Sequence, residues 1–515
     1  MKLGQIIRTV VHLKFTQIYH QILLRIPGKR IRYSQAPATQ IDRFNWWEKK
    51  ERREFQELQF INLSIPIHFP VNWENQQFGL LWTYNLNYFS ILAECKEEQG
   101  QKLMDDFVRQ YPNLNIGKQP YPTSLRIINW IKFIEQFGIN KREYIQVIWD
   151  DATRLRDNFE FHLLANHLLE NACALYMAGL FFKESNWQDY AASILKEQLE
   201  EQFYQDGCHY ERSPMYHLIL TDRLLDVYIY CRHKQAGEPD LIQKLKDTLE
   251  RAGAFMNWLT FMSDWPLFND SAYGIAPEPD EIRSRFQACQ LPISNLNQAM
   301  DSGFRRMDSG NMTLYTTCGN LTPEYQPGHA HADTLSFCLY VDESPVIVDP
   351  GTSTYQISST RSEERSTRNH NTVTVNGANS SEIWSGFRVG RRAKCHIAQD
   401  TTNELIAWHD GYRKAGIVHE RQFRANSNAL RLVDLLKGSN PQGELNLLFH
   451  PSCQIEMTDE GALVNGRVNF KFLGQEKMEK VSRKYSPFFN KEQDTFGLRI
   501  SFSKELVSEI SIITN

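Results

Sequence analysis

The sequence predicts an α+β protein of more than one domain, with an N-terminal helical toroid or bundle followed by a C-terminal antiparallel β-sandwich. Its 515 residues exceed the length at which one hydrophobic core usually keeps growing. Apolar residues recur every three or four positions in residues 76–300, whereas short β-branched and aromatic segments fill residues 301–515. Residues 1–75 are taken as a separate N-terminal segment.

Six segments between residues 76 and 300 have the spacing of amphipathic helices. In the fourth segment, Tyr190, Ile194 and Leu199 fall on one helical face, and Glu197 and Glu200 lie largely opposite. Such helices joined by short loops are typical of bundles and toroids. The segments are WTYNLNYFSILAE, PTSLRIINWIKFIEQF, HLLENACALYMAGLFF, NWQDYAASILKEQLEEQF, SPMYHLILTDRLLDVYIYC and DLIQKLKDTLERAGAFMNWL.

Ten short segments after residue 301 have the composition of β-strands. Turn signals separate them, including Asn376 with Gly377, and this spacing is typical of an antiparallel sandwich. The segments are NMTLYTTC, TLSFCLYV, SPVIVD, NTVTVNG, LIAWHD, IVHERQF, ALRLVDLL, LNLLFHP, RVNFKF and ISIITN.

The charge balance and the cysteines exclude some classes of protein. With 57 basic and 61 acidic residues the net charge is −4, which argues against a protein that coats nucleic acid. Any anionic ligand must therefore be held by a local cluster. Nine cysteines are scattered without a CxxC pair, so we expect free core thiols and no disulfide framework.

The N-terminus is basic and amphipathic, with no acidic residue before Asp42. Polar residues interrupt every apolar stretch, so the segment fits neither a secretory signal nor a membrane-spanning helix. A packed first helix is the ordinary expectation, and a peripheral membrane or partner contact is the alternative. The basic residues considered are Lys2, Arg8, Lys14, Arg25, Lys29 and Arg30.

Histidines and an aspartate near the start of the β region predict a metal site. In GHAHADTLSF, His329 and His331 flank Ala330 and can converge if the segment is a loop. Asp349 ends SPVIVD, and His370 precedes the strand NTVTV. Nitrogen and oxygen ligands of this kind suit Zn²⁺. Spacing alone leaves ordinary hydrogen-bonded histidines as the alternative.

The segment FHLLANHLLEN places Asn166, His167 and Glu170 within about one helical turn. His167 and Glu170, three residues apart, can touch. A carboxylate beside an imidazole favours its charged form, which suits the binding of an anion. The alternative is a set of polar residues that satisfy one another at a helix interface.

A helix start is predicted in YQDGCHYERSPMYHLIL, where Ser213 is the N-cap and Pro214 the first helical residue. Tyr216 then lies in the first turn, where outward amides favour negative charge and the phenolate. A buried, hydrogen-bonded tyrosine is the alternative.

A basic cluster follows in residues 361–394, interleaved with Trp384 and Phe387. Arginine binds carboxylate or sulfate with two parallel hydrogen bonds, so the cluster predicts a groove for an anionic sugar. A solvated charged surface is the alternative. The cluster consists of Arg361, Arg365, Arg368, Arg388, Arg391, Arg392 and Lys394.

Taken together, these segments resemble the heparinase II/III superfamily of polysaccharide lyases, and the likeness covers most of the chain. The resemblance implies an α/α toroid, an incomplete barrel, followed by an antiparallel β-sandwich. The stretches that carry it are NHLLENACALYMAGLFF, ERSPMYHLILTDRLLDV, PLFNDSA, YQPGHAHADTLSF, VDPGTSTY and RSTRNHNTVTVNG.

The resemblance also implies roles for individual residues. Glu170 matches an acidic residue that supports the toroid histidine, and Tyr355 is similar to a second tyrosine of some alginate-directed members. The implied catalytic residues are Asn166, His167, Tyr216 and His329. The implied substrate contacts are Glu170, Arg212, Tyr355, Arg365 and Arg388. The implied ligands of a structural zinc are His331, Asp349 and His370.

The activity implied by the resemblance is β-elimination on a uronic-acid-containing polysaccharide, leaving unsaturated uronate ends. The expected partner is an anionic polysaccharide, bound by a monomer or a homodimer in the periplasm or cell envelope; without a clear signal sequence, the cytoplasm stays open. Two other functions remain alternatives. One is a zinc-dependent hydrolase, in which Glu170 or Asp333 activates water. The other is a non-catalytic protein for exopolysaccharide binding or assembly.

Overall fold

The computed structural model confirms a helical toroid followed by an antiparallel β-sandwich. Three basic residues of the N-terminus, Lys2, Lys29 and Arg30, lie outside the described residues. Among the helices described, none combines the length and the apolar content needed to cross a bilayer. The structure describes residues 3–26, 33–47, 50–260, 264–298 and 301–513.

Helices dominate the chain up to Ala288, and the six predicted segments correspond to α3, α5, α7, α8, α9 and α10. The helices in the described residues are α1 (Leu3–Val10), α2 (Phe15–Leu23), α3 (Leu80–Tyr88), α4 (Glu97–Gln110), α5 (Pro120–Phe137), α6 (Arg142–Asp157), α7 (Ala165–Phe182), α8 (Ser185–Gln202), α9 (Pro214–Lys234), α10 (Pro239–Leu259), α11 (Pro279–Ala288) and α12 (Ser359–Glu364).

Helices α7 and α9 position the toroid part of the site. Every residue of α7 except His167 is buried, because the helix packs against α5, α8 and α9. Helix α9 begins as predicted, with Pro214 in its first turn and the Ser213 hydroxyl accepting a hydrogen bond from the Tyr216 amide at 3.3 Å. Polar side chains at these two places are therefore held by a rigid scaffold.

Strands fill the chain from Phe304 onwards, and among the described residues before that point the hairpin β1–β2 is the only other pair of strands. The strands in the described residues are β1 (Glu57–Phe60), β2 (Leu63–Pro66), β3 (Phe304–Ser309), β4 (Met312–Thr317), β5 (Phe337–Val341), β6 (Ser344–Ile347), β7 (Val373–Val375), β8 (Ile383–Trp384), β9 (Arg388–Val389), β10 (Cys395–Asp400), β11 (Glu404–His409), β12 (Val418–Ala425), β13 (Ala429–Lys437), β14 (Gly443–Leu448), β15 (Ile455–Met457), β16 (Gly461–Val464), β17 (Val468–Leu473), β18 (Lys477–Phe488), β19 (Lys491–Phe502) and β20 (Glu505–Ile512).

Three antiparallel sheets enclose the core of the sandwich. An eight-stranded sheet has the order β10-β11-β12-β13-β20-β17-β16-β15. The two four-stranded sheets have the orders β18-β19-β14-β7 and β3-β4-β5-β6. Apolar side chains from all three sheets meet in one cluster, which includes Leu339, Phe423 and Leu498. This layered arrangement buries apolar side chains from each of the three sheets.

The two domains pack directly on each other through an aromatic cluster. Phe255 and Trp258 from α10 contact Phe304 and Tyr315 from the first strands of the sandwich. The Tyr315 hydroxyl also donates to the Trp258 carbonyl at 2.9 Å. Buried aromatic contacts of this kind hold the domains in a fixed relation. A site shared between them is therefore built on a stable interface.

A buried polar network in the large sheet supports the loops that lead to the site. His419 Nε2 lies 2.7 Å from Asp434 Oδ1, and Arg421 Nε donates to the same oxygen at 2.7 Å. Arg421 Nη1 donates to the carbonyls of Leu335 and Asn371, at 2.7 and 2.8 Å. Because Asn371 follows His370 in the chain, the network fixes the backbone beside a candidate metal ligand.

Replacing Asp434 with asparagine is expected to lower the free energy of unfolding by about 3–5 kcal/mol, because Arg421 then stays buried without its counter-charge. Burial alone would raise the pKa of Asp434, but Arg421 and His419 outweigh it and lower the pKa to about 2. Its ionic contribution is therefore complete above the ordinary pKa of 3.8 and is lost as the pH falls through about 2.

Chemical denaturation of the original and Asp434→Asn chains between pH 7 and pH 3 measures this effect. The difference in unfolding free energy is expected to shrink by about 1 kcal/mol between pH 7 and pH 3, because the rest of the ionic part is lost only as the pH falls further, through about 2. A difference that is the same at every pH would show that the charge of Asp434 contributes nothing.

Candidate active site between the toroid and the sandwich

Two histidines and an arginine converge on the carboxylate of Asp270. His329 Nδ1 lies 2.9 Å from Asp270 Oδ2, and His331 Nε2 lies 2.8 Å from Oδ1. Arg361 completes the arrangement with a two-pronged contact, in which Nη2 is 2.7 Å from Oδ2 and Nη1 binds Oδ1. The histidines lie in a loop, which allows both rings to turn toward one carboxylate.

The charge state of Asp270 determines which nitrogen of each histidine is free. Burial would raise the pKa of Asp270, but Arg361 and the two histidines outweigh it and hold the pKa well below its ordinary value. An ionised carboxylate only accepts hydrogen bonds, so His329 Nδ1 and His331 Nε2 are the protonated nitrogens. His329 Nε2 and His331 Nδ1 are the nitrogens that remain for other partners.

Tyr216, in the first turn of α9, stacks against His329 from the other domain. The two ring centres are 4.1 Å apart, and the Tyr216 hydroxyl is 3.1 Å from that of Tyr355. Burial, with the neighbouring Tyr355 next, raises the pKa of Tyr216 well above its ordinary value. The expectation of a phenolate stabilised by the helix start is therefore wrong for the ligand-free site. Tyr216 is a protonated phenol at neutral pH.

An aromatic wall surrounds this pair of catalytic candidates. The ring centre of Phe387 lies 5.2 Å from that of Tyr355 and 6.0 Å from that of His329. The ring centre of Phe489 also lies 4.9 Å from that of Tyr355, and the Arg361 guanidinium lies 5.1 Å from the Tyr355 ring centre. Flat apolar faces beside polar groups are suited to holding a sugar ring.

Asn166 is bound to a buried carboxylate that the sequence reasoning did not identify. Its Nδ2 donates to Glu211 Oε1 at 3.0 Å and lies 3.2 Å from Oε2. Burial raises the pKa of Glu211, opposed by the nearby His329 and by Asn166. Glu211 lies in the quoted stretch ERSPMYH, and only that resemblance could have drawn attention to it. It connects the toroid residues to His329.

His167 is paired with a different carboxylate from the one predicted. Its Nδ1 lies 3.1 Å from Glu160 Oε1, and its ring centre lies 4.4 Å from that of Tyr121. Burial would lower the pKa of His167, but Glu160 outweighs it, so that the pKa is raised and the imidazolium is favoured. The site therefore presents a cationic group beside Asn166.

The predicted contact between Glu170 and His167 is wrong. Glu170 is fully buried and accepts a hydrogen bond from Arg223 Nε at 2.7 Å. The side chains at these positions diverge because α7 is packed on all sides except at His167. Glu170 has no exposed surface for substrate contact, and it belongs to an ion-pair network of the toroid interior.

The predicted arginine contacts divide into buried and exposed groups. Arg365 is fully buried, with its guanidinium bound to the carbonyls of Ala330 and Gly386 at 2.9 and 3.1 Å, so the prediction of substrate contact is wrong for it. Arg212 is also buried, and it binds Thr317 and the Asn320 carbonyl. Arg388, on β9, is exposed and free to meet an anionic ligand.

Arg365 and Arg212 thus hold the site's backbone in place. Arg365 ties the loop that carries His329 to the hairpin β8–β9. Arg212 ties the start of α9 to the end of β4. Arginine's several donors make it suited to binding carbonyls of separate segments at once. Tyr216 and His329 are therefore positioned partly by arginines that sequence reasoning assigned to substrate.

His331, Asp349 and His370 form a buried cluster that fits a metal ion. Their candidate ligand atoms lie within 4.8 Å of one another, and all three side chains are buried. Within the described part of the chain, His331 Nδ1, Asp349 Oδ1 and His370 Nε2 have no hydrogen-bond partner. Buried polar atoms are normally satisfied, so three atoms without hydrogen-bond partners in one cluster fit a bound cation.

The site as a whole draws on both domains. Asn166, His167 and Tyr216 come from the toroid, and His329 and Tyr355 come from the sandwich. Asp270 lies in the segment after α10 that leads into the sandwich, inside the quoted stretch PLFNDSA. The chain thus offers a cation, an amide, a protonated phenol and an imidazole with a free nitrogen near the boundary between the two domains.

Known polysaccharide lyases resemble this chain in sequence and in fold. A curated heparin-sulfate lyase from Bacteroides stercoris is 23% identical, over 60% of this chain and 48% of that protein. The chain therefore matches about half the length of this relative. A crystal structure of heparinase III superposes with a TM-score of 0.67 at 16% identity, covering 86% of this chain and 79% of the other.

A heparan sulfate lyase from Pedobacter heparinus superposes with a TM-score of 0.59 at 16% identity, covering 89% of this chain and 81% of the other. At these identities the superpositions show a common fold. Residues 126–279 match the family model for the heparinase II/III N-terminus, and residues 292–513 match the heparinase II/III-like C-terminal model. The two models together span most of the chain, which belongs to the heparinase II/III family.

Proposed function

We propose that the chain is a polysaccharide lyase that cleaves a uronic-acid-containing polysaccharide by β-elimination. The observation that carries the proposal is the contact between Tyr216 and His329 across the domain interface, 4.1 Å between ring centres. A proton donor and a proton acceptor on one side of a cleft are what this reaction needs. Family membership and the two lyase structures with the same fold support the proposal.

The first requirement of the reaction is to make a weakly acidic carbon proton removable. The proton lies on C5, next to the uronate carboxylate, and its removal places negative charge on that carboxylate. His167, favoured as a cation by Glu160, and the Asn166 amide would bind the carboxylate and stabilise this charge. Preorganised donors in a cleft that excludes water contribute several kcal/mol to such a step, roughly 3–4 kcal/mol for one donor.

The second requirement is a base and an acid. His329 Nε2 carries a lone pair, because Asp270 holds the proton on Nδ1, and it would take the C5 proton. Tyr216, protonated at neutral pH, would donate to the glycosidic oxygen as the C4–O bond breaks. The products are one chain with a double bond between C4 and C5 and one chain with a free hydroxyl. An exchange of the two roles on the other uronate epimer is the alternative assignment.

Ultraviolet absorbance tests the reaction class, because an unsaturated uronate absorbs and a hydrolysis product does not. Purified chain is expected to raise the absorbance of at least one polyuronate in a screen of heparan sulfate, chondroitin sulfate, alginate and acidic exopolysaccharides. New reducing ends without absorbance would support the hydrolase. Binding without either product would support an exopolysaccharide-binding protein.

Glycosaminoglycans are the first substrates to test. The relatives with matching sequence or fold are named as heparin- and heparan-sulfate lyases. The exposed Arg388 lies next to Phe387 at the cleft and offers a two-pronged contact to sulfate or carboxylate. We therefore propose a sulfated or carboxylated glycosaminoglycan as the preferred class of polymer.

We also propose that His331, Asp349 and His370 hold a structural Zn²⁺. Two imidazoles and a carboxylate match the ligands that zinc prefers. Asp270, which accepts a hydrogen bond from His331 Nε2, would orient the His331 ring. A bound zinc would neutralise Asp349 and fix the loop that carries His329. The proton transfers proposed above use side chains alone.

Metal analysis of the purified chain is expected to find about one zinc per chain, and His370→Ala is expected to lose it together with several degrees of thermal stability. Lyase activity remaining in the original chain after chelation, at a temperature where it stays folded, would assign the metal a structural role. Loss of lyase activity without loss of structure would assign the metal a part in catalysis. Full thermal stability of metal-free chain would contradict a structural zinc.

A further inference from the structure

The N-terminal helices α1 and α2 expose their apolar side to solvent. Of the 22 exposed large hydrophobic residues in the described chain, 11 lie within residues 3–26. Phe15, Leu3 and Val11 are the most exposed of them, at 80%, 72% and 69%. Apolar surface concentrated in this way marks an interaction site, whereas isolated apolar residues do not.

The polar side of these helices faces the protein instead. Arg8 forms a two-pronged ion pair with Glu382, at 2.7 and 2.6 Å, and Trp384 Nε1 donates to the Thr9 hydroxyl at 3.1 Å. The hydroxyl of Thr9 lies 3.2 Å from the Val389 carbonyl. A surface helix normally turns its apolar stripe inward. Here α1 is held to the sandwich by its polar residues, and its apolar stripe is left outward.

Helix α2 is anchored to the rest of the molecule in a similar way. Lys14, at its start, pairs with Glu201 and lies 4.1 Å from the ring centre of Tyr325. Gln17 is buried, and His20 stacks on Phe161 with ring centres 4.8 Å apart. The outward position of Phe15 and its apolar neighbours therefore follows from specific polar contacts on the inner side.

The charge of the segment selects the kind of partner. Residues 1–41 carry seven lysines and arginines and no aspartate or glutamate. Arg25, at the end of the exposed stretch, is exposed to solvent. A second copy of the chain would place like charges against each other, whereas an anionic lipid surface complements both the charge and the apolar stripe.

We propose that α1 and α2 form a peripheral membrane anchor, which binds an anionic lipid surface through its outward apolar side. The apolar residues insert at the level of the headgroups, and Arg25 contacts the lipid phosphates. The first helix therefore packs against the protein, as expected from sequence. Its polar side, however, faces the sandwich, and its apolar side faces solvent. The anchor is independent of the lyase activity.

Co-sedimentation with vesicles tests the anchor. The full chain is expected to bind vesicles of phosphatidylglycerol and phosphatidylcholine, and to bind pure phosphatidylcholine vesicles at least about tenfold more weakly. The double substitution Val11→Glu and Phe15→Glu removes apolar contact and adds negative charge, and it is expected to weaken binding to the anionic vesicles by at least about tenfold. Added salt should weaken the binding of the original chain.

Met457→Glu is the matched control, since Met457 is an exposed apolar residue of β15, outside the N-terminal helices. It is expected to leave vesicle binding unchanged. All three chains are expected to show the same circular dichroism and the same activity on soluble polymer. An original chain that ignores anionic vesicles, or a double variant that binds them equally, overturns the proposal. The proposal is also overturned if the original chain forms a dimer and the double variant loses the dimer but still binds vesicles.

Discussion

Tyr216→Phe is expected to lower kcat by about 10²–10⁴-fold on the polysaccharide that the chain cleaves, with a much smaller change in KM. The substitution removes the hydroxyl that donates to the departing oxygen and keeps the ring that stacks on His329. Initial rates of ultraviolet absorbance measure the effect. Because Tyr216 has one hydrogen-bond contact through its hydroxyl, to Tyr355, little change in folding is expected.

Tyr355→Phe is the matched control, because it removes the other member of the same hydroxyl pair. It is expected to lower kcat by only about tenfold, through the lost hydrogen bond that orients the Tyr216 hydroxyl. Equal losses for the two variants would indicate that Tyr355 takes part in the proton transfer. A Tyr216→Phe chain with full activity would exclude Tyr216 as the general acid.

Asp270→Asn is the second change with a large expected effect, a loss in kcat of up to about 10⁴-fold. An ionised Asp270 fixes the Nδ1 proton of His329, and an amide at this position can donate to Nδ1 and stabilise the wrong tautomer. The same change removes the counter-charge of Arg361. The free energy of unfolding should fall by about 3–5 kcal/mol.

A loss of kcat can come from a misoriented His329 or from a destabilised fold, and the Asp434→Asn variant distinguishes these two causes. Asp434 is also a buried carboxylate with one histidine and one arginine partner, and it has no contact with Tyr216 or His329. Both variants are expected to lose stability, and only Asp270→Asn is expected to lose kcat and to shift the pH–rate profile. Similar kcat losses for both variants, at a temperature where both are folded, would remove the positioning role.

Periodicity was sufficient to predict the order and type of most elements. The helical spacing in HLLENACALYMAGLFF and the strand-like runs such as ALRLVDLL correspond to α7 and β13. These segments bury enough apolar surface that their local pattern and their tertiary environment agree. Strands β18 and β19 were not predicted, because frequent charged residues, several of them adjacent in sequence, hide their strand character.

The family resemblance predicted which residues meet, but not how each is held. The structure brings Tyr216 into contact with His329 and groups His331, Asp349 and His370 in one cluster, and their catalytic and metal-binding roles stay predictions. Glu211 and Asp270 were missed because they lie 45 and 59 residues in sequence from Asn166 and His329. Glu160 was missed although it is close to His167 in sequence, because it lies in the turn before α7 and outside the helical spacing that was considered. Arg365 was assigned to substrate because sequence does not distinguish a buried guanidinium from an exposed one.

The sequence by itself determined the domain order, the family and the residue types of the site, because these depend on local periodicity and on motifs that are contiguous in the chain. Only the tertiary structure decided the protonation of Tyr216, the free nitrogen of His329 and the partner of His167. Those properties depend on burial and on charged groups that only folding brings into contact. Which side of α1 faces solvent was also decided by the tertiary structure, because Arg8 binds Glu382, which is 374 residues away in sequence.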